Sequence, residues 1–152
     1  MTGTWSNRVD DILRRSAART PQRTALTFAD RQWTYAELDA AVTRGAGELL
    51  GRGLTAGDRV ATYGTNSDAY LIAFLACSRA GLVHVPINYM LTGEELRYLL
   101  SDAGASLVLA DPALRGHADE LALAPVAALR DADDSFLAAV CDGDLPELPQ
   151  AP

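Results

Sequence analysis

Residues 57–111 of this 152-residue chain read GDRVATYGTNSDAYLIAFLACSRAGLVHVPINYMLTGEELRYLLSDAGASLVLAD. The stretch contains three short apolar runs, at 59–63, 82–85 and 106–110, and the segments between them carry apolar residues at helical spacing. Regular alternation of strand and helix is typical of parallel strands joined by right-handed crossovers. Strands that are valine-rich and almost wholly apolar are typical of a sheet covered on both faces. The sequence therefore predicts an α/β fold with a parallel sheet.

Capping patterns mark the predicted helix boundaries. Residues 34–37 (TYAE) fit a capping box, in which the Thr34 hydroxyl accepts from the Glu37 amide and the Glu37 carboxylate accepts from the Thr34 amide. Thr92 opens a second pattern of this kind, so we predict a side-chain cap there as well. Asn66 or Ser67 is predicted to cap a further helix, which lies between the two that begin at Thr34 and Thr92.

Helical and strand periods extend the prediction toward the N-terminus. An apolar stripe of Val9, Ile12, Leu13 and Ala17 predicts a helix over 9–19 with this stripe facing the core. Residues 24–29 predict a strand, with Gln32-Trp33 as the returning arm of a hairpin. In the helix after Ser67, one face is predicted to hold Tyr70, Leu71, Phe74, Leu75 and Ser78.

The pattern weakens after Pro112. We predict a helix over 113–123 and a short one over 135–140. Three prolines within residues 145–152 indicate an extended linker or a truncation tail. Residues 1–144 are thus interpreted as one α/β segment, best defined over 6–112, with 145–152 as the tail.

Composition excludes several classes of function. The formal net charge is −7, from 13 basic and 20 acidic side chains, which argues against nucleic acid as a partner. No apolar run approaches the roughly 18 residues of a transmembrane helix. Residues 1–7 lack the pattern of a secretory signal, and Cys77 and Cys141 match no metal or redox spacing. A cytoplasmic location fits these features.

Few residues have the context of a catalytic site. Glycines 45–57 follow a helix and lead into a strand, the opposite polarity to a phosphate loop, and the chain contains no lysine. His84, alone in an apolar strand, is expected to be a packed residue. The acidic cluster at 131–144 lacks the glycine and glutamate of a calcium loop, so no metal site is predicted. Asn88, Tyr89 and Thr92 follow a strand, at the sheet edge where open α/β folds bind ligands.

The ordered set of short blocks in this chain resembles the N-terminal region of the adenylate-forming enzymes, and among them the fatty-acid–CoA ligases. The resemblance covers about residues 6–112. Its blocks are Arg19-Thr20-Pro21, Thr34-Tyr35-Ala36-Glu37-Leu38, Gly57-Asp58-Arg59-Val60-Ala61, Asn66-Ser67, Ala73-Phe74-Leu75-Ala76, Ala80-Gly81, Val85-Pro86-Ile87-Asn88, Leu91-Thr92 and Glu95-Leu96.

The resemblance implies an activity for a longer parent enzyme. In that family ATP, with Mg²⁺, converts a carboxylic acid to an acyl-adenylate, and coenzyme A then displaces AMP to form the thioester. The family's phosphate loop, magnesium-binding glutamate and catalytic lysines match nothing in this chain. The resemblance therefore implies no catalytic residue and no metal ligand here, and no cofactor is expected to bind this segment tightly. It does imply that Pro86, Asn88 and Tyr89 line the coenzyme A entry path.

We therefore interpret the chain as the N-terminal segment of the large domain of an acid–CoA ligase, inactive by itself. The acid would be bound by the rest of the enzyme, and exposed apolar edges would favour self-association. Two alternatives stay open: a segment of an aryl-acid ligase or peptide-synthetase adenylation domain, and a non-catalytic stand-alone or split-protein module. A Rossmann-type nucleotide-binding module is disfavoured because no glycine fingerprint follows a strand.

Overall fold

A computed structural model describes residues 8–149 and confirms the α/β class. Its strands form two sheets. A four-stranded parallel sheet has the order β4-β3-β5-β6, and a separate antiparallel hairpin pairs β1 with β2. The helices are α1 (Asp10–Arg19), α2 (Tyr35–Gly51), α3 (Asp68–Ala80), α4 (Gly93–Ala103), α5 (Pro112–Leu121) and α6 (Phe136–Cys141). The strands are β1 (Thr24–Phe28), β2 (Arg31–Thr34), β3 (Arg59–Tyr63), β4 (Val83–Ile87), β5 (Ala105–Ala110) and β6 (Val126–Ala128).

The parallel sheet separates two hydrophobic cores. On one face, Val60, Leu107 and Leu109 pack with buried residues of α1, α2, α3 and α6. On the other face, Ala61 and Val108 pack with residues of α4 and α5. Neighbouring residues of one strand thus enter opposite cores, as the two-residue period of a strand requires. Burial on both faces explains why β3 and β5 are mostly apolar.

The predicted cap of α2 is confirmed, and that of α4 is wrong. The Glu37 amide donates to Thr34 Oγ1 over 3.1 Å, and the Thr34 amide donates to Glu37 Oε1 over 2.8 Å. Ser67 caps α3 by accepting from the Tyr70 amide. Thr92 precedes α4, but its side chain makes no capping hydrogen bond. Sequence spacing identified the helix start in each case, but it does not fix the Thr92 side-chain rotamer.

The helix predicted at 9–19 exists, but its buried face is not the predicted one. Val9 and Ile12 are exposed, whereas Asp10 is fully buried beside Leu13. The Asp10 carboxylate accepts from Arg79 Nε over 2.9 Å and from the Ser78 hydroxyl over 2.9 Å. Because Arg79 is also buried, this ion pair places a charged residue where the hydrophobic period predicts an apolar one.

The predicted face of α3 is also partly wrong. Leu75 is buried, but Phe74 is 36% exposed and Tyr70 and Leu71 are only partly buried. The fully buried positions are instead Ala69, Ile72, Ala73, Ala76 and Cys77. The small residues lie toward the core because α2 packs closely against α3: a Cβ at Gly45 of α2 would lie 3.0 Å from Ala76 Cβ. The larger aromatic side chains occupy the outer face.

The C-terminal third is more ordered than its sequence pattern indicates. Both predicted helices are present, shifted by one or two residues, as α5 and α6. Strand β6, which the sequence analysis missed, has three residues and adds to the sheet beside β5. Residues 144–149 form neither helix nor strand, and Pro146 packs on α2 so closely that a Cβ at Gly47 would lie 2.5 Å from its ring. The described residues exclude 1–7 and 150–152. The prediction that residues 1–7 carry no secretory signal therefore concerns a part of the chain that the structure does not describe.

Within residues 8–149, none of the helices combines the length and apolar character needed to cross a membrane.

Candidate functional site at the sheet edge

Residues after the parallel strands converge at the carboxyl edge of the four-stranded sheet. A cavity of about 340 Å³ lies there, and Tyr89 lines it. Its other lining residues are Thr65, Asp111, Pro112, Ala113, Leu114, Arg130 and Asp131. These residues follow β3, β5 and β6, so the edge collects polar groups that are far apart in sequence. This is the place where open α/β sheets bind ligands.

The structure separates the three residues of the predicted site. Tyr89 is about half exposed and reaches the cavity. Pro86 lies in the outer strand β4, where it pairs in register with Thr62, and does not line the cavity. Asn88 turns the loop: its Oδ1 accepts from the Met90 amide over 2.9 Å and its carbonyl accepts from the Leu91 amide over 3.1 Å. Of the three, Tyr89 alone is placed to contact a molecule in this cavity.

An ion pair that the sequence analysis missed organises this edge. Arg130 donates from Nε to Asp111 Oδ1 over 3.0 Å and from Nη2 to Asp111 Oδ2 over 3.2 Å. The same Nη2 donates to Thr65 Oγ1 over 2.9 Å, and the Thr65 amide donates to Asp111 Oδ2 over 2.9 Å. The neighbouring carboxylate raises the pKa of the Arg130 guanidinium. Loops after three different strands are thereby held together.

Gly64 makes this convergence possible. A Cβ at this position would lie 2.7 Å from the Asp111 carboxyl carbon and 2.8 Å from both carboxylate oxygens. Such distances are well inside van der Waals contact, so only a residue without a side chain allows the loop after β3 to pass so near the carboxylate. A sequence signal did exist: Asp111 directly follows a buried strand, where the carboxyl-edge rule places ligand-contacting residues.

The hairpin tip packs against the same edge. The guanidinium carbons of Arg31 and Arg130 lie 5.5 and 5.6 Å from the centroid of the Phe28 ring, within the range of cation–π attraction. Arg31 also forms a bidentate ion pair with Asp68 at the start of α3, in which Nε donates to Oδ2 over 2.7 Å and Nη2 donates to Oδ1 over 2.8 Å. Phe28 therefore links the β1–β2 hairpin to the Arg130 cluster.

A second and larger cavity lies between β1 and the outer face of α3. It measures about 440 Å³, and we call it the α3–β1 groove. Its walls are Leu26, Thr27 and Phe28 on one side and Tyr70, Leu71 and Phe74 on the other, with Asn66, Ser67 and Asp68 at the loop before α3. The groove is mostly apolar and open to solvent.

His84 and Cys77 are packed residues rather than candidate catalytic groups. His84 Nε2 lies 2.8 Å from Thr62 Oγ1, and the Tyr70 and Phe74 rings meet the imidazole edge-on. Burial lowers the pKa of His84 to about 4, so the ring is neutral at pH 7, as expected for a packed histidine. Burial raises the pKa of the Cys77 thiol to about 12, which makes it a poor nucleophile.

The described residues can position a ligand but do not supply the groups for phosphoryl chemistry. The whole chain contains no lysine, and residues 8–149 hold no cluster of three or more histidine, cysteine or carboxylate side chains placed to bind a metal ion. Arg130, the cation that lines the cavity, already donates from Nε and Nη2 to Asp111 and Thr65. The residues present therefore do not fit a magnesium–triphosphate site.

A match to a known protein family establishes the family of this chain. Residues 13–148 match the family model described as AMP-binding enzyme. The chain belongs to the AMP-binding enzyme family. Feruloyl-CoA synthase of an Amycolatopsis species is a relative in this family that is 43% identical over 98 residues, which are 64% of this chain and 20% of that protein. A plipastatin synthase of Bacillus subtilis is 41% identical over 101 residues, which are 66% of this chain and 4% of that protein.

Solved structures of the AMP-binding family show the same fold. The N-terminal domain of FACL13 from Mycobacterium tuberculosis superposes with a TM-score of 0.81 at 26% identity. That match covers 94% of this chain and 38% of that domain. VinN also gives a TM-score of 0.81, at 29% identity, over 90% of this chain and 36% of VinN. The chain thus spans about a fifth of the feruloyl-CoA synthase it matches and little more than a third of these solved structures.

Proposed function

We propose that these residues are the N-terminal portion of the large domain of an ATP-dependent acid–CoA ligase. One observation carries the proposal. Almost the whole chain superposes on the solved family structures, and it matches only about a third of the length of each. The parent enzyme would use ATP and Mg²⁺ to form an acyl-adenylate and would then transfer the acyl group to coenzyme A. A fatty acid is the proposed substrate class, and the acid would bind in the remainder of the enzyme.

The portion itself is proposed to be inactive. A pentavalent phosphorus transition state needs cations and hydrogen-bond donors aimed at its oxygens. The chain has no lysine, and its Arg130 guanidinium is engaged with Asp111. ATP–pyrophosphate exchange by the purified 152-residue chain, with a panel of acids, should stay at the level of a no-enzyme blank. Exchange above that level would contradict the proposal.

Tyr89 is proposed to contact coenzyme A in the parent enzyme, within the loop that Pro86 and Asn88 shape. Support comes from the position of Tyr89 at the sheet-edge cavity. In the complete ligase, Tyr89→Ala should raise the KM for coenzyme A while leaving ATP–pyrophosphate exchange unchanged. Tyr98→Ala is the matched control, because Tyr98 is 67% exposed on α4 and does not line that cavity. Equal KM values in the two variants would refute a role for Tyr89.

A peptide-synthetase adenylation domain is the second candidate, because the plipastatin synthase is nearly as similar as feruloyl-CoA synthase. Both candidates form an adenylate, so exchange alone does not separate them. Thioester formation with free coenzyme A does. The complete enzyme should yield an acyl-CoA by chromatography, and an adenylate that reacts only with a carrier-protein thiol would favour the synthetase.

A further inference from the structure

Tyr63, the last residue of β3, carries a hydroxyl that the packing of the sheet does not require. Its side chain is fully buried in the core that Ala61 and Val108 share with α4 and α5. A buried phenol hydroxyl needs a hydrogen-bond partner, whereas an apolar side chain would fill the same space without one. The partner is the main-chain carbonyl of Leu91, to which the Tyr63 hydroxyl donates. The hydroxyl therefore reaches from the core to the loop between β4 and α4.

Leu91 closes a turn that presents Tyr89. The Leu91 amide donates to the Asn88 carbonyl over 3.1 Å, and the Met90 amide donates to Asn88 Oδ1 over 2.9 Å. We call residues 88–91 the 88–91 turn. Tyr89 and Met90 lie at its centre and are 49% and 72% exposed. The two hydrogen bonds inside the turn fix its shape, but they do not fix its place on the sheet.

Tyr63 holds both ends of the 88–91 turn. Its main chain pairs in register with Ile87, which leads into the turn, and its hydroxyl binds the carbonyl of Leu91, which ends it. The Tyr63 carbonyl also accepts from the Asp111 amide over 2.9 Å. Asp111 and Tyr89 both line the sheet-edge cavity. One buried residue thus connects the turn to the rest of the cavity wall.

We propose that Tyr63 is a positioning residue for coenzyme A, because its hydroxyl holds the 88–91 turn in the conformation in which Tyr89 contacts that ligand. The proposal rests on the proposed function for the identity of the ligand. Tyr63 has no exposed surface, so it acts only through the turn. Burial also raises the pKa of the Tyr63 hydroxyl, so the group stays protonated and able to donate.

The size of the effect follows from the loss of one hydrogen bond. Loss of a bond between neutral partners shifts a two-state population by about threefold to tenfold. The apparent affinity for a ligand falls in proportion to the fraction of molecules that hold the competent conformation. Because the residues at the centre of the turn are exposed, we expect the change in population to reach the binding of coenzyme A.

Kinetics of the complete ligase test the positioning role. Tyr63→Phe removes the hydroxyl and keeps the ring, so the KM for coenzyme A should rise by about threefold to tenfold. The kcat and the rate of ATP–pyrophosphate exchange should stay within about 1.5-fold of wild type, whereas a merely structural role would lower both and leave the KM unchanged. Tyr98→Phe, on the exposed side of α4, is the matched control. A KM no higher than that of the control, or an equal loss of exchange, would overturn the proposal.

Two further variants show whether Tyr63 acts through Tyr89. Tyr63→Phe should add less than about 1.5-fold to the KM of Tyr89→Ala, because the contact that the turn positions is already absent. Effects that multiply would overturn the proposal. Asn88→Ala removes the Oδ1 acceptor inside the turn and should raise the KM for coenzyme A with exchange unchanged. A normal KM in Asn88→Ala would count against positioning by the turn.

Hydrogen–deuterium exchange in the 152-residue chain examines the turn without any activity. The Leu91 amide should exchange about threefold to tenfold faster in Tyr63→Phe than in Tyr98→Phe or wild type, because the turn opens more often. Equal exchange in the three proteins would overturn the proposal. Faster exchange in Tyr63→Phe, together with no acyl-CoA formation by the wild-type complete enzyme, would refute the proposed function and still support the anchoring of the turn by Tyr63.

Discussion

Replacement of Arg130 by methionine tests whether the sheet-edge cluster is an organised unit. The substitution removes two hydrogen bonds to Asp111 and one to Thr65 while keeping much of the side-chain volume. Asp111, with 8% of its side chain exposed, would retain only the Thr65 amide and hydroxyl. Loss of a charged hydrogen-bonded partner from a mostly buried carboxylate costs about 2–3 kcal/mol in the free energy of unfolding.

Urea titration followed by the fluorescence of the buried Trp33 measures that loss, and a thermal melt should fall by about 4–12 °C for a chain of this size. Arg97→Met is the matched control. Its partner Glu94 is 90% exposed at 3.5 Å, so the change should stay within about 0.5 kcal/mol. Combining Arg130→Met with Asp111→Asn should cost at least about 1 kcal/mol less than the sum of the single variants. Additive effects, or an Arg130→Met loss no larger than the control, would refute a coupled cluster.

Three further outcomes are expected from the buried features. Gly64→Ala should destabilise the chain by more than about 1 kcal/mol, because its Cβ would lie 2.7 Å from a carboxyl carbon, whereas Gly51→Ala, with nothing within 4 Å, should be neutral or stabilising in the same urea titration. Burial disfavours the charged form of Asp10, but hydrogen bonds from its partners outweigh this and hold its pKa below the usual value. Its contribution is therefore present above the unfolded pKa of about 3.9 and lost as pH falls through the lower folded value. The stability gap between the wild type and Asp10→Asn should shrink between pH 5 and pH 2, and a constant gap would contradict the assignment. Iodoacetamide at pH 8 should label the exposed Cys141 and spare the buried Cys77 until the chain unfolds, as mass spectrometry would show.

The sequence predicted features that depend on neighbours along the chain. The order of strands and helices, the capping box of Thr34 and Glu37, and the β1–β2 hairpin all rest on residues a few positions apart, and the structure confirms them. Periodicity and capping report such local preferences well.

Features that depend on distant pairs were missed. Asp10 pairs with Arg79, which is 69 positions away in the chain. In α1 the charged Asp10 is therefore buried, although the hydrophobic period predicts that it is exposed. Arg130 meets Asp111 and Thr65 only after three strands are aligned, and β6, at three residues, is too short to show a period. Neither a buried ion pair nor a short strand leaves a repeating signal along the chain.

Pro86 in β4 limits the edge at which further strands can add to the parallel sheet. The Val83 amide donates to the Asp58 carbonyl over 2.9 Å, so the main-chain polar groups of Val83 point toward β3. Because these groups point to opposite sides at successive residues of a strand, those of Pro86 point away from β3, toward the open side of β4. Proline offers no amide there and interrupts the ladder that an incoming strand would need. This side of the sheet is therefore protected against edge-to-edge stacking with other molecules. Any extension of the parallel sheet is left to β6, at its opposite end.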